Sequence, residues 1–338
     1  MRKDKNYKKL KNKTVLVTGG AGFIGSHMCT SLIKLGARVI CFDNLFTGKK
    51  ENVVHLTKEK KFIFIKGDSN DARDLDKVFK KYKIDYIFHY AAVLGVQRVL
   101  EDPLSVLPDI DGIHHILNLA KKYKIKKLVF ASSSEAYGNT SELPLAEDSG
   151  KELASNQTNT HLYALVKLLG ERIFKVGNDK YGVPTCSLRF FNVFGPRQES
   201  SSYGFVTGVF IKQILNNQFP TIFGDGYQTR DFIFVEDNIR LSIKALLSSK
   251  TNGEVINIGV GRQTTILDLA EKLIRISGKE LKPKLLGERK YEIRYRSPDI
   301  TKMHTLLGET IPDKLDDNLR KTYEWYEKII EKTSSVEK

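Results

Sequence analysis

The chain of 338 residues is short of several things. It has three cysteines, Cys29, Cys41 and Cys186, far apart and without a CxxC pair. That spacing offers neither a zinc site nor a disulfide framework, and an odd count of thiols fits a reducing compartment. Each lies in a helix-like or strand-like stretch and reads as a small buried hydrophobe. No window approaches the ~18 consecutive apolar residues of a membrane-spanning helix. The charged start lacks the apolar core of a secretory signal, so a cytoplasmic location is expected. Nine prolines and 25 glycines are too few for a fibrous chain, and 41% hydrophobic residues are too many for a disordered one. His114 and His115 are adjacent and cannot face one metal from one side of a helix, so no metal site is expected.

Acids are the other deficit: 40 Asp+Glu stand against 55 Lys+Arg, a net +15. Residues 1–13 carry seven cations and one acid, a net +6, which leaves +9 for the other 325 residues. This basic N-terminal arm reads as a solvated extension ahead of the first strand. The remaining lysines are scattered among acids rather than clustered with base-stacking aromatics, which argues against a nucleic-acid partner. Small anionic ligands fit the charge equally well. If the arm bound nucleic acid, deleting residues 1–12 would abolish function; an enzyme would lose little turnover.

What is present begins with a β-branched run at 14–18, fit for a buried strand. Gly19-Gly20-Ala21-Gly22-Phe23-Ile24-Gly25 follows at once. A helix over 26–35 closes at Gly36, and a second strand over 38–42 ends at Asp43. Gly19 allows the tight turn, Gly22 the approach of backbone to a pyrophosphate, and Gly25 close helix–strand packing. The helix N-terminus then offers free N–H groups and partial positive charge. Asp43, 18 residues after Gly25, is placed to accept from ribose hydroxyls and to repel a 2′-phosphate, which selects NAD over NADP. The alternation continues: strands over 61–66, 85–89, 127–131 and 184–191, and helices over 71–82, over a stretch whose start is flanked by Pro103 and Pro108 and which runs to about Tyr123, and over 161–181. This pattern predicts an α/β fold of Rossmann type, a doubly wound parallel sheet with a smaller α+β C-terminal substrate-binding domain. The NAD-binding domain is expected over 14–191 with 232–260, and the substrate-binding domain over 192–231 and 261–338.

Two further motifs carry chemistry. Tyr163 and Lys167, four apart on one helical face, form a pair in which the ammonium is expected to lower the phenol pKa and make Tyr163 a proton acceptor. Ser133, Ser134 and Glu135 cluster at the C-terminal end of a strand, where ligands of such sheets bind.

Together these stretches resemble the extended short-chain dehydrogenase/reductase family, in particular its nucleotide-sugar epimerases and dehydratases. The resemblance runs from residue 13 to about 331. It rests on TGGAGFIGSH at 18–27, DNLFTGKKENV at 43–53, GD at 67–68, HYAA at 89–92, SSSEAYG at 132–138, YALVK at 163–167, RFFNVFGPRQ at 189–198 and GDGYQTRDFIFVED at 224–237. It implies a tightly held NAD cofactor and a nucleotide-diphosphate sugar substrate oxidised transiently to a 4-keto sugar. Tyr163 then takes the C4 hydroxyl proton, Lys167 binds the nicotinamide ribose, and Ser133 bonds the same sugar oxygen. The cofactor set is Gly19, Gly22, Phe23, Ile24, Gly25, Asp43, Asn44, Thr47, Gly48, Asp68, Ser69, Tyr90, Ala91 and Ala92, with Tyr163 and Lys167. Leu94, Asn192, Arg230, Arg289 and Glu292 fall at substrate positions, the arginines and Asn192 toward the diphosphate and Glu292 near the nucleotide ribose. The family also implies a homodimer through helices around 103–123 and 161–181.

The reaction turns on Glu135, where simple C4 epimerases usually carry a small or hydroxyl residue. The pair Ser134-Glu135 looks more like that of GDP-mannose dehydratases and UDP-glucuronate decarboxylases. The Asp–Glu pair of dTDP-glucose dehydratases is not matched, and 93–98 lacks the usual prolines of the decarboxylases. The expectation is therefore a 4,6-dehydratase-type reaction with Glu135 as the C5 base. The alternatives are a UDP-glucose or UDP-GlcNAc 4-epimerase, then a UDP-glucuronate decarboxylase, or an NAD or nucleotide-sugar sensor without chemistry. One departure stands out: Asp109 replaces the Asn usual in the family.

Overall fold

The computed structural model describes residues 5–93, 96–151, 161–201, 204–288 and 293–336. Its strands are β1 (Thr14–Thr18), β2 (Arg38–Asp43), β3 (Phe62–Lys66), β4 (Tyr86–His89), β5 (Lys127–Ser133), β6 (Thr185–Phe190), β7 (Asn192–Phe194), β8 (Thr221–Phe223), β9 (Thr229–Arg230), β10 (Phe232–Phe234), β11 (Glu254–Ile258), β12 (Thr264–Thr265) and β13 (Lys284–Leu286). Its helices are α1 (Phe23–Lys34), α2 (Ala72–Lys81), α3 (Val96–Glu101), α4 (Asp109–Lys122), α5 (His161–Tyr181), α6 (Val206–Leu215), α7 (Val235–Leu247), α8 (Ile266–Ser277), α9 (Thr301–Leu307) and α10 (Leu315–Val336).

Among the described residues seven strands form one sheet in the order β3-β2-β1-β4-β5-β6-β11, all parallel. Alternation along β1 explains the two layers. Val15 and Val17 face one way, into a core with Met28 and Leu32 of α1 and Ile239 and Ile243 of α7. Leu16 faces the other way, toward Leu75 of α2, Ile113 of α4 and Phe174 of α5. Both faces are covered by helices, as the apolar strand runs required. The chain runs outward from β1 through β2 to β3, then returns to β4 on the other side of β1. That reversal opens a crevice at the strand C-termini between β1 and β4.

Three local readings change. Helix α1 starts at Phe23, three residues before the predicted 26, because Gly22 in an extended conformation is its N-cap. Strand β5 runs on to Ser133, which carries the Ser cluster to the sheet's edge. Residues 232–234 pair with β7 rather than entering the main sheet, whereas β11 does enter it beside β6.

The N-terminal arm is not wholly solvated. Residues 5–10 form a short 3-10 helix that buries Tyr7 and Leu10 in the core shared with α1 and α7. The spacing of three puts both apolar side chains on one side of this tight helix, leaving the lysines outward. Leu10→Ala is expected to lower folding stability by about 2–4 kcal/mol, measured by urea unfolding. A change below ~0.5 kcal/mol would show the arm to be a loose extension after all.

Candidate active site

The Gly-rich turn after β1 is shaped by close approach. Gly19 has φ +66°, and a Cβ there would lie 2.7 Å from the Ala91 backbone N. A Cβ on Gly25 would lie 2.0 Å from the Gly19 carbonyl oxygen, so α1 can pack against the turn only with glycine there. The N-cap of α1, Gly22, has no side chain to satisfy the first-turn N–H groups, which remain available to an anion.

Asp43 closes the end of β2 and is buried. Its carboxylate accepts from the N–H of Ala21 at 2.9 Å and of Leu45 at 2.8 Å. Burial pushes this carboxyl up, and the backbone N–H groups pull it back. Gly48 is needed behind it, since a Cβ there would lie 2.6 Å from Asp43 Oδ1. After β3, Asp68 accepts from Asn44 Nδ2 at 3.1 Å and from the Asn70 N–H at 2.9 Å, tying the two loops that follow β2 and β3.

The chemistry-bearing groups stand across the crevice. Lys167 is buried, donates to the Ala131 carbonyl at 2.9 Å and lies 5.5 Å from the Tyr163 ring centroid. Burial lowers its ammonium to about 8, opposed by the carboxylates of Asp109 and Glu171. The expected depression of Tyr163 is not found. Burial pushes the phenol above its ordinary value, and the charges of Glu135 and Asp109 add to that, while a hydrogen bond with Ser133 opposes it. Desolvation disfavours a phenolate more strongly than an ammonium held beyond contact favours it.

Behind this face, Ser132 donates to Glu171 Oε1 at 2.5 Å. Glu171 also forms a buried two-point pair with Arg189, at 2.8 and 2.7 Å. The network fixes β5 against α5 and so sets the spacing of Ser133 from Tyr163. Asp109, at the first position of α4, accepts from the Val93 N–H at 3.0 Å and from Asn70 Nδ2 at 3.4 Å.

Glu135 is not a free base. Its carboxylate pairs at 2.6 Å with the Arg296 guanidinium, whose side chain is 2% exposed against 45% for Glu135. Arg296 also donates to the Gly138 carbonyl at 2.9 Å. This partner was not visible in the sequence.

One cleft of about 480 Å³ gathers nearly all the predicted residues, within the usual range of small-molecule sites. It is lined by Gly19, Gly22, Phe23, Ile24, Gly25, Asp43, Asn44, Thr47, Asp68, Ser69, Tyr90, Ala91, Ala92, Ser133, Ser134, Glu135, Tyr163, Lys167 and Asn192. Gly48 supports it from behind. Arg230 does not line it: held in the β9–β12 pairing, its guanidinium turns back to the Thr229 carbonyl at 2.8 Å. Leu94, Arg289 and Glu292 lie outside the described residues. The sequence reading missed Arg197, the Arg98–Glu199 pair at 3.7 Å, and Trp325, Tyr326, Ile329 and Ile330 of α10. Arg197 lies within the RFFNVFGPRQ stretch but was given no role there; no local motif marks the α10 residues, because α10 reaches the cleft only through the folded chain.

The description "NAD dependent epimerase/dehydratase family" matches residues 15–259. The chain belongs to this family. A UDP-N-acetyl-alpha-D-glucosaminuronate decarboxylase of Bacillus cytotoxicus is 33% identical over 94% of this chain and 98% of its own length. A UDP-N-acetylglucosamine 4-epimerase of Methanobrevibacter ruminantium, solved with UDP-N-acetylmuramic acid, is 37% identical over 94% of this chain and 98% of its own, with TM-score 0.86. A UDP-glucuronic acid 4-epimerase of Bacillus cereus, solved with UDP-glucuronic acid and NAD, is 35% identical over 94% and 99%, with TM-score 0.84.

The epimerase/dehydratase family is NAD-dependent, and the cleft fits that cofactor. The turn that glycine alone can make, the uncapped start of α1 and the buried Asp43 match a pyrophosphate and an adenosine ribose. When bound, NAD supplies a hydride acceptor that can also return the hydride.

Proposed function

We propose that the chain is an NAD-dependent UDP-sugar 4-epimerase. The observation that carries this reading is the Ser133–Tyr163–Lys167 face opposite the dinucleotide cradle, with Glu135 engaged by Arg296 rather than free. Tyr163 takes the proton of the sugar C4 hydroxyl as that carbon is oxidised. Ser133 bonds the same oxygen, and the Lys167 charge favours the phenolate form of Tyr163 that accepts the proton and leaves the step as the neutral phenol. The 4-keto sugar turns within the cleft and is reduced on its other face. No further acid or base is required. The near full-length similarity to 4-epimerases supports the reading.

A second reading has its own observation. Glu135 lines the cleft beside Tyr163, and a full-length relative is a decarboxylase. In that reading the chemistry proceeds at C5, by dehydration or decarboxylation. Incubation with UDP-glucose, UDP-GlcNAc and UDP-glucuronate in D2O separates the two. C4 inversion without solvent label supports the epimerase. Deuterium at C5 with loss of water or CO2 replaces it by the second reading.

The proton pair makes a pH prediction. The Lys167 ammonium is lost as pH rises through about 8, so turnover is expected to fall on the alkaline side. The Asp109 carboxylate raises both Lys167 and Tyr163. Asp109→Asn is therefore expected to move the whole kcat profile to lower pH. An unshifted profile would show that Asp109 only holds Val93 and Asn70.

The reading includes a homodimer. Leu165, Leu169 and Val176 are exposed along α5, and Leu100, Leu104 and Leu107 are exposed just before α4. A second copy is the expected cover for such a stripe. Leu165→Glu with Leu169→Glu is expected to give a monomer by light scattering. A wild-type chain that already elutes as a monomer would refute the dimer.

A further inference from the structure

Arg197 is placed at a cost that its own contacts do not explain. It is half-buried and lines the cleft, and its backbone adopts φ +69°, a left-handed conformation unfavourable for a side chain of this kind. Its guanidinium contacts α1 only through hydroxyls. Nη1 donates to Ser26 Oγ at 3.2 Å and to Thr30 Oγ1 at 3.4 Å. No carboxylate pairs with it among the described residues. The nearest acid in sequence, Glu199, pairs with Arg98 instead.

The surroundings are electropositive. Ser26 lies in the first turn of α1, and its hydroxyl donates back to the Phe23 carbonyl at 2.9 Å, so the guanidinium sits beside the positive end of this helix. His27 and His55 flank it, and burial first, with the Arg197 charge adding to it, pushes both imidazoles toward their neutral forms. His27 is held by the Pro196 carbonyl at 2.8 Å and His55 by Thr30 Oγ1 at 2.9 Å. Neither offers negative charge. A cation held beside a helix N-terminus, without a carboxylate partner among the described residues, suits an anion arriving from the cleft.

We propose that Arg197 is a cofactor-binding residue that clamps the diphosphate of NAD from the side opposite the Gly19–Gly25 turn. The turn supplies backbone N–H groups, and Arg197 supplies a formal positive charge beside the start of α1. The role is one of binding and does not depend on which sugar reaction follows.

The test is calorimetric titration of the cofactor-free full chain with NAD, ADP, adenosine and UDP. Arg197→Met is expected to weaken NAD and ADP by about tenfold or more, leaving adenosine and UDP unchanged. Arg197→Lys keeps the charge and is expected to recover part of the loss. Thermal unfolding of each variant without ligand identifies any fault of folding, which weakens all four ligands together. Unchanged NAD affinity in a folded Arg197→Met protein overturns the proposal. A loss confined to UDP also overturns it, since Arg197 would then serve the sugar nucleotide.

Discussion

Tyr163→Phe is expected to lower kcat by about 10³-fold or more while leaving NAD affinity within a factor of about two. The substitution keeps the ring and removes only the hydroxyl that takes the substrate proton. The ring stays against Lys167, whose amine is anchored independently on the Ala131 carbonyl. The part of the cradle matched to the adenosine ribose and the diphosphate is made elsewhere, by the turn at Gly19, the start of α1 and Asp43, and it remains intact in the variant. Turnover and cofactor affinity should therefore separate cleanly. Steady-state kinetics with a UDP-sugar and calorimetry with NAD check both halves. A kcat within tenfold of wild type would remove Tyr163 from the reaction. A matching loss of NAD affinity would make it a binding residue instead.

Tyr163 also marks where sequence reasoning was sound and where it was not. Its pairing with Lys167 follows from helical spacing, which is local, and the structure keeps it. The sign of its pKa shift does not follow from spacing. That depends on burial and on acids delivered by other elements, Glu135 from the end of β5 and Asp109 from the start of α4. The parallel sheet was legible because strand and helix periods differ and Gly and Asp fall at fixed offsets in the first βαβ unit. The docking of the N-terminal arm was not, because Tyr7 and Leu10 among lysines give too short an apolar pattern to read. Arg296 belongs to the same class of omission. Its contact with Gly138 spans 158 residues, and nothing local in the segment around it announces a buried cation.

The Glu135–Arg296 pair gives the second large effect, because one carboxylate is asked to do two different things. As the partner of a buried guanidinium it is structural. Glu135→Gln removes the charge and leaves Arg296 with only the Gly138 carbonyl among its close acceptors. That is expected to cost about 2–3 kcal/mol, less than the ~3–5 kcal/mol for a pair buried on both sides, because Glu135 is half exposed. As a C5 base it would be chemical, and its loss would lower kcat by about 10²–10⁴-fold. The double variant Glu135→Gln, Arg296→Met separates the roles. It removes both charges, so the stability lost in the single variant should largely return. If Glu135 acts only through Arg296, turnover returns with stability, and kcat of the double variant stays within about tenfold of wild type. If Glu135 abstracts the C5 proton, stability returns and turnover does not, and exchange of the C5 hydrogen with D2O disappears. The 4-epimerase reading requires the first outcome. A stable double variant without turnover, in a protein that labels C5, would move the enzyme to the dehydratase or decarboxylase branch of its family.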